Sequence, residues 1–310
     1  FEMVDTSKAM YSDSTKNGVI IIYNGSISSR PISSSPALTS GFDPVAVSAA
    51  YNVGKAYDLF ETTYGRRSFD GNGSSIRSLI RQLDEKTGGP LDNAYWNGNN
   101  LTMSFGDADA YAGATDVVGH EFTHAVIQFT ARLVYNNDSG ALNEAFSDIM
   151  GEALERFVHG TNDWLVGSQL RTHFRDMKAP QTKSQPAKMS QYKRTAADNG
   201  GVHINSGIVN HAFYLLAEGL PGGGIGFDDA RDTFFHALSS KLNSRSDFHD
   251  LRSACLLSAT EKFGPGSEQV TKTRQAFDAV EIFDASPTES VENLTPPSGS
   301  DSYLIAYKAV

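Results

Sequence analysis

Residues 117–126 read VVGHEFTHAV, an apolar run interrupted by two histidines and a glutamate. On a helix His120 and His124 stand one turn apart on one face, with Glu121 about 100° further round. Two neutral imidazoles converging in this way suit a divalent metal, zinc above all. The neighbouring carboxylate is placed to take a proton from a metal-activated water rather than to ligate the metal. The same spacing is met by a pair of core histidines satisfied by carbonyl groups, so support must come from elsewhere in the chain.

The following segment, SGALNEAFSDIMGEALERFV, supplies it. Glu144, Asp148, Glu152 and Glu155 form one stripe down a helix whose other faces are apolar. Like charges one turn apart destabilise a helix, and no lysine sits among them to compensate. A solvated acidic face is the alternative, but the carboxylates replace apolar positions between two helices that otherwise read as buried. Cations are the expected remedy. The first helix carries a matching stripe of Asp116, His120 and His124, and the turn NNDSG at 136–140 lets the two helices pack antiparallel. Glu144 then faces the histidines, and Asp116 faces Glu152 and Glu155. The first cluster, His120, His124 and Glu144, leaves a fourth position open, as a catalytic zinc site requires. The second, Asp116, Glu152 and Glu155 with Asp163 nearby, is all oxygen and suits calcium. Along the helix Asp116 and His124 are about 12 Å apart, so the sites adjoin without sharing ligands.

Around these helices the sequence divides into two parts. Up to about residue 110 it reads as strands and turns with one inserted helix, DPVAVSAAYNVGKAYDLFETTYG, opened by Asp43-Pro44. GVIIIYNGS is β-rich, and NAYWNGNNLTMSFGD reads as two strands joined through a tight turn at Asn97-Gly98. Beyond residue 114 the periodicity predicts helices over 116–131, 140–158, 205–219, 226–241, 246–263 and 267–279. Residues 281–310 turn rich in Pro, Ser, Thr and acidic side chains and read as a linker or C-terminal extension.

A chain of 310 residues with 39% hydrophobic content can bury a large core. Its formal charge of −10 excludes a polyanion partner such as nucleic acid, and no apolar run approaches the ~18 residues of a membrane helix. The single cysteine, Cys255, cannot make an internal disulfide and reads as a packed hydrophobe. The opening FEMVDTSKAM lacks both an initiator Met and a signal-peptide core, as a processed or trimmed chain would.

These stretches together resemble the thermolysin family of secreted zinc endopeptidases over roughly residues 45–280. The likeness is carried by DVVGHEFTHAV, by NNDSGALNEAFSD with Glu144 twenty residues after His124, by DNAYWNG and by DNGGVHINSG. It implies an α+β, two-lobed fold: an N-terminal α/β lobe over 1–131 that includes the zinc helix, a helical lobe over 132–280, and the active-site cleft between them. It implies zinc on His120, His124 and Glu144, with Asp148 orienting His120, and Glu121 as general base. Tyr135 and His203, the latter oriented by Asp198, are expected to meet the developing oxyanion.

By the same likeness Asn93 and Ala94 bind peptide backbone along an edge strand, and Arg175 reaches the carbonyl after the cut. Val117 and Phe174 wall an apolar pocket, so bulky hydrophobic side chains are expected just after the scissile bond. Leu165 and Ser168 stand where two-calcium members of the family carry extra acidic residues, so one calcium is expected, on Asp116, Glu152, Glu155 and Asp163 with the Leu165 carbonyl. The remaining expectations are a secreted, extracellular monomer acting on peptides and proteins, freed of a propeptide and not inserted in membranes. The rival readings are an idle metal-stabilised binding or adhesion module of the same fold and a zinc aminopeptidase. No motif for anchoring a free α-amino group is present to favour the latter.

Overall fold

The computed structural model of the chain describes residues 2–25 and 43–284. The greater part of the expected tail, residues 285–310, lies outside the described residues. The N-terminal part is a five-stranded mixed sheet in the order β1-β2-β3-β5-β4, with β1 (Glu2–Asp5), β2 (Ile20–Asn24), β3 (Ile76–Gln82), β4 (Ala94–Asn97) and β5 (Thr102–Gly106). The three central strands run parallel and the two outer ones antiparallel to their neighbours. β4 is therefore an edge strand. Helix α1 (Pro44–Tyr64) packs on this sheet. Its Asp43 side chain accepts from the Val45 amide, as the Asp-Pro start predicts.

Two helices cross the centre of the molecule. In α2 (Thr115–Gln128) every residue from Thr115 to Ile127 is buried, and in α3 (Asn137–His159) every residue from Gly140 to Glu155. They meet backbone to backbone: a Cβ on Gly119 would stand 3.0 Å from the Gly151 Cα, and one on Gly151 would stand 2.6 Å from the Asp116 carbonyl oxygen. Gly151→Ala is therefore expected to force the helices apart and cost about 1–3 kcal/mol, read as a lowered urea midpoint.

The remaining helices, α4 (Asp198–Tyr214), α5 (Phe227–Ser240), α6 (Phe248–Phe263) and α7 (Glu268–Ala279), build the C-terminal part around α3. A short ribbon of β6 (Leu165–Val166) and β7 (Arg175–Asp176) lies between α3 and α4. α4 begins on a run of left-handed residues, Asp198 to Gly201, and ends in a π turn at Leu215–Gly219. Residues 281–284 are held on the helical part by the buried Arg252, which donates to Asp284 and to the Ile282 carbonyl, and by the Lys188–Glu281 pair.

Two local expectations change. α2 stops at Gln128, because Phe129 and Thr130 close it with shorter bonds to Val126 and Ile127. β4 and β5 are joined by four residues, not by a tight Asn-Gly turn. The positive φ falls on Leu101, while the Asn97 side chain accepts the Asn99 and Asn100 amides. Gly98 serves proximity instead: a Cβ there would meet the Gln128 side chain at 2.6 Å. Among the described residues no helix is long and apolar enough to cross a membrane.

Candidate active site and metal centre

The two histidines and Glu144 converge between α2 and α3. The Nε2 atoms of His120 and His124 face each other at 2.9 Å, and each lies 3.4 Å from one Glu144 oxygen. The far side of each ring is already engaged. His120 Nδ1 lies 2.8 Å from Asp148, and His124 Nδ1 lies 2.7 Å from Asn143 Oδ1, an amide oriented by its own donation to the Leu133 carbonyl. With Nδ1 as donor in both rings, two lone pairs and a carboxylate point at one spot, and a proton or a cation must occupy it. Glu144 Oε2 has no hydrogen-bond partner. Nitrogen and oxygen ligands about 2.0–2.1 Å from a tetrahedral ion stand roughly 3.3 Å apart, so the separations fit zinc.

The electrostatics agree with that geometry. Burial opposes a charge on His120, but Glu144 and Asp148 outweigh it and hold its pKa up at about 10. At His124 burial and the charge on His120 prevail, and its pKa falls to about 3. Burial acts against Glu144 as an anion too, yet His203, His120 and His124 pull it well below the ordinary glutamate value. Three imidazoles around one carboxylate favour the anionic ligand that a metal needs.

Glu121 lies beside this cluster. Burial pushes its carboxyl up to about 7, against the pull of His120, and the Trp96 amide of the edge strand donates to it. Its Oε2 is buried without a hydrogen-bond partner. From the other side Tyr135 donates to Glu144 and stands 3.1 Å from His203 Nε2. His203 owes its place to the left-handed run before it. Asp198 (φ 53°) and Asn199 (φ 49°) enter a region that non-glycine residues seldom occupy, and Gly200 and Gly201 continue it. The turn brings one Asp198 oxygen to His203 Nδ1 at 2.6 Å and the other to the His203 amide at 2.9 Å. Although burial opposes it, Glu144 and then Asp198 raise the His203 pKa. With Nδ1 on Asp198, Nε2 is left facing Tyr135 and Glu144.

Asp148 ties the centre to its surroundings. It accepts from His120, from Arg175 through two bonds of 2.7 Å and from Asn210 at 2.7 Å. Burial opposes its charge, but Arg175 and His120 bring its pKa to about 2. Arg175 is thus a buried partner of Asp148 that also borders a recess beside Glu121, lined with Ala94, Tyr111, Val117, Val166 and Phe174. Asn93, buried just ahead of β4, accepts the Gly106 amide. Sequence reasoning passed over Tyr111, Asn143, Asn210 and Ser147, whose hydroxyl lies 3.1 Å from His124 Nδ1. Asn143, immediately before Glu144, carried a local signal, whereas Tyr111 and Asn210 are brought in only by the fold.

The all-oxygen cluster gathers Glu152, Glu155 and Asp163 with ligand atoms within 4.8 Å of one another. Asp116 raises the pKa of both glutamates but stands outside this close group, its oxygens engaged by the Val117 and Gly167 amides. The Leu165 carbonyl accepts the Ser168 amide. Burial, Asp116 and Glu155 push Glu152 well above the ordinary glutamate range, and Glu152 Oε1 has no hydrogen-bond partner. Burial and Asp163 push Glu155 up to about 7.

Comparison with known proteins settles the lineage. Residues 1–128 match the catalytic domain of thermolysin metallopeptidases, and residues 131–282 match their alpha-helical domain. The chain belongs to the thermolysin metallopeptidase family. It is 39% identical over 259 residues to thermostable neutral protease NprT of Geobacillus stearothermophilus, an alignment covering 79% of this chain and 46% of that protein. It is 40% identical over 254 residues to bacillolysin of Brevibacillus brevis, covering 77% of this chain and 46% of that one. The chain thus spans about half the length of the curated relatives it matches. Among solved structures it resembles the precursor of protealysin, a metalloproteinase from Serratia proteamaculans. That match has a TM-score of 0.75 and 31% identity, and covers 85% of this chain and 87% of the other. The two-lobed fold, with a sheet-bearing N-terminal domain and a helical C-terminal domain, is that of the family.

Proposed function

We propose that the protein is a zinc-dependent endopeptidase that hydrolyses internal peptide bonds at near-neutral pH. The observation that carries the reading is the convergence of His120, His124 and Glu144 with a second, unpartnered carboxylate oxygen, that of Glu121, beside them. When bound there, zinc supplies a Lewis acid that acidifies water and polarises a carbonyl. Glu121 takes a proton from the attacking water and hands it to the leaving amine, a role suited by a pKa near 7. Tyr135 and His203 donate to the oxygen on which charge develops, and Asp198 holds His203 in place. Asp148 fixes the His120 tautomer and raises its basicity as a ligand.

Substrate backbone adds along the edge strand at Asn93 and Ala94, with Arg175 toward the carbonyl after the cut. A hydrophobic side chain there enters the recess between Val117 and Phe174. An idle binding module of the same fold has no use for a base beside an open metal position, which disfavours it. Metal analysis together with cleavage mapping on an unstructured protein tests the reading. One zinc per chain and internal cuts that stop with 1,10-phenanthroline are expected, and a metal-loaded chain that cuts nothing overturns it. By likeness to the family we further read the protein as secreted, monomeric and matured from a precursor.

We also assign a single calcium ion to Glu152, Glu155 and Asp163, with Asp116 and the Leu165 carbonyl adjoining. Without the ion, Glu152 and Glu155 keep protons in the folded state above 4.5, their ordinary value. The folded state then binds more protons at this pair than the unfolded one, so the pair's contribution to stability is full below pH 4.5 and is lost as pH rises through about 7. In EGTA the melting temperature is expected to drop between pH 5 and pH 8, and millimolar calcium should abolish the drop. A pH response indifferent to calcium removes the assignment.

A further inference from the structure

The recess beside Glu121 is small. Its free space is about 20 Å³, room for one water molecule. Two aromatic rings stand in its lining. Tyr111 and Phe174 lie nearly parallel, 7° apart with centroids at 6.2 Å.

Neither ring is free to swing aside. The Tyr111 hydroxyl donates to Asp92 at 2.9 Å. Phe174 lies against Gly167, where a Cβ would stand 2.9 Å from its ring, and the Phe174 amide donates to the Val166 carbonyl at 2.8 Å. The next residue, Arg175, is locked on Asp148. The segments that carry the two rings are also stapled together. Arg171 donates from its amide and its Nε to Asp109, at 3.0 and 3.1 Å, and from Nη2 to the Ala108 carbonyl. The Thr115 amide donates to Gln169 at 2.7 Å.

We propose that the stacked rings of Tyr111 and Phe174 set the size limit of this pocket, so that the enzyme takes compact aliphatic side chains, alanine and valine, just after the bond it cuts and rejects aromatic ones. This rests on the peptidase reading and departs from the bulky side chains that the family likeness implies. Seating a phenyl ring requires the stack to part and the staples to break. Differences of this kind in an apolar pocket are worth roughly 10–200-fold in kcat/KM.

The test uses two fluorogenic peptides that differ only in valine or phenylalanine after the cut, with the site of cleavage fixed by mass spectrometry. The zinc-loaded wild-type chain is expected to favour valine at least tenfold. Phe174→Leu shortens one wall of the pocket and should lower that ratio at least tenfold. Retained zinc content and an unchanged thermal melt report that the variant is folded. A wild-type enzyme that cuts before phenylalanine as readily as before valine overturns the proposal, as does a ratio unmoved by Phe174→Leu. If the zinc-loaded wild type cuts neither these peptides nor an unstructured protein, the failure is that of the peptidase reading itself.

Discussion

Replacing Glu121 with glutamine is expected to leave the zinc content unchanged and to lower turnover by roughly 10²–10⁴-fold, the usual contribution of a positioned proton carrier. The substitution is nearly isosteric, and Glu121 is not among the three converging ligand groups. The amide can still accept the Trp96 N–H, so the edge strand stays where it is. What it cannot do is gain and lose a proton near neutral pH. Loss should therefore fall on kcat far more than on KM, because the bound peptide meets the same walls. Metal analysis of the purified variant beside its steady-state kinetics checks both halves. A zinc-loaded Glu121→Gln variant with wild-type turnover would remove the residue from the proton path, and a zinc-free one would mean that it helps to hold the metal.

Asp148→Asn is expected to produce the largest loss of stability of any single change at the centre. The carboxylate is fully buried and serves His120, Arg175 and Asn210 at once. With an amide in its place, the Arg175 guanidinium keeps its charge in a buried setting with no anion directly against it. Breaking one side of such a pair costs about 3–5 kcal/mol. His120 meanwhile loses the acceptor that fixes its tautomer, which typically weakens metal affinity 10–100-fold. Urea denaturation of the apo protein isolates the first effect, and competition with a zinc indicator isolates the second. A variant as stable as wild type would show that Arg175 finds another anion, and the arrangement drawn around Asp148 would have to be redrawn.

The central helices were readable because their chemistry is periodic. His120, His124 and the stripe from Glu144 to Glu155 repeat at helical spacing, and a short connection leaves two such helices little choice but to pack antiparallel. The N-cap at Asp43 and the starts of α5 to α7 followed from similarly local signals. What escaped is made by distant segments meeting. β3 has no clear alternation to mark it, since three consecutive residues, Ser78 to Ile80, are buried. The ribbon of β6 and β7 consists of two-residue strands, too short for any pattern. Tyr111 stands 63 positions before Phe174 in the chain and alone reads as an ordinary core aromatic. Asp116 combines both kinds of signal. Its stripe position sets it near the two glutamates whose pKa it raises, while the Gly167 amide that engages its carboxylate comes from a loop that no periodicity describes.

The bare contact between Gly119 and Gly151 has a consequence for how this protein tolerates mutation. Most core spacings are set by interlocking side chains and drift when one of them changes volume. Here the gap between the rod that bears both imidazoles and the rod that bears Glu144 is fixed by main chain resting on main chain, which has nothing to repack. Substitutions in the surrounding apolar shell can therefore accumulate while the coordinating atoms keep their mutual distances, so that the ruler of the metal centre is separate from the filler around it.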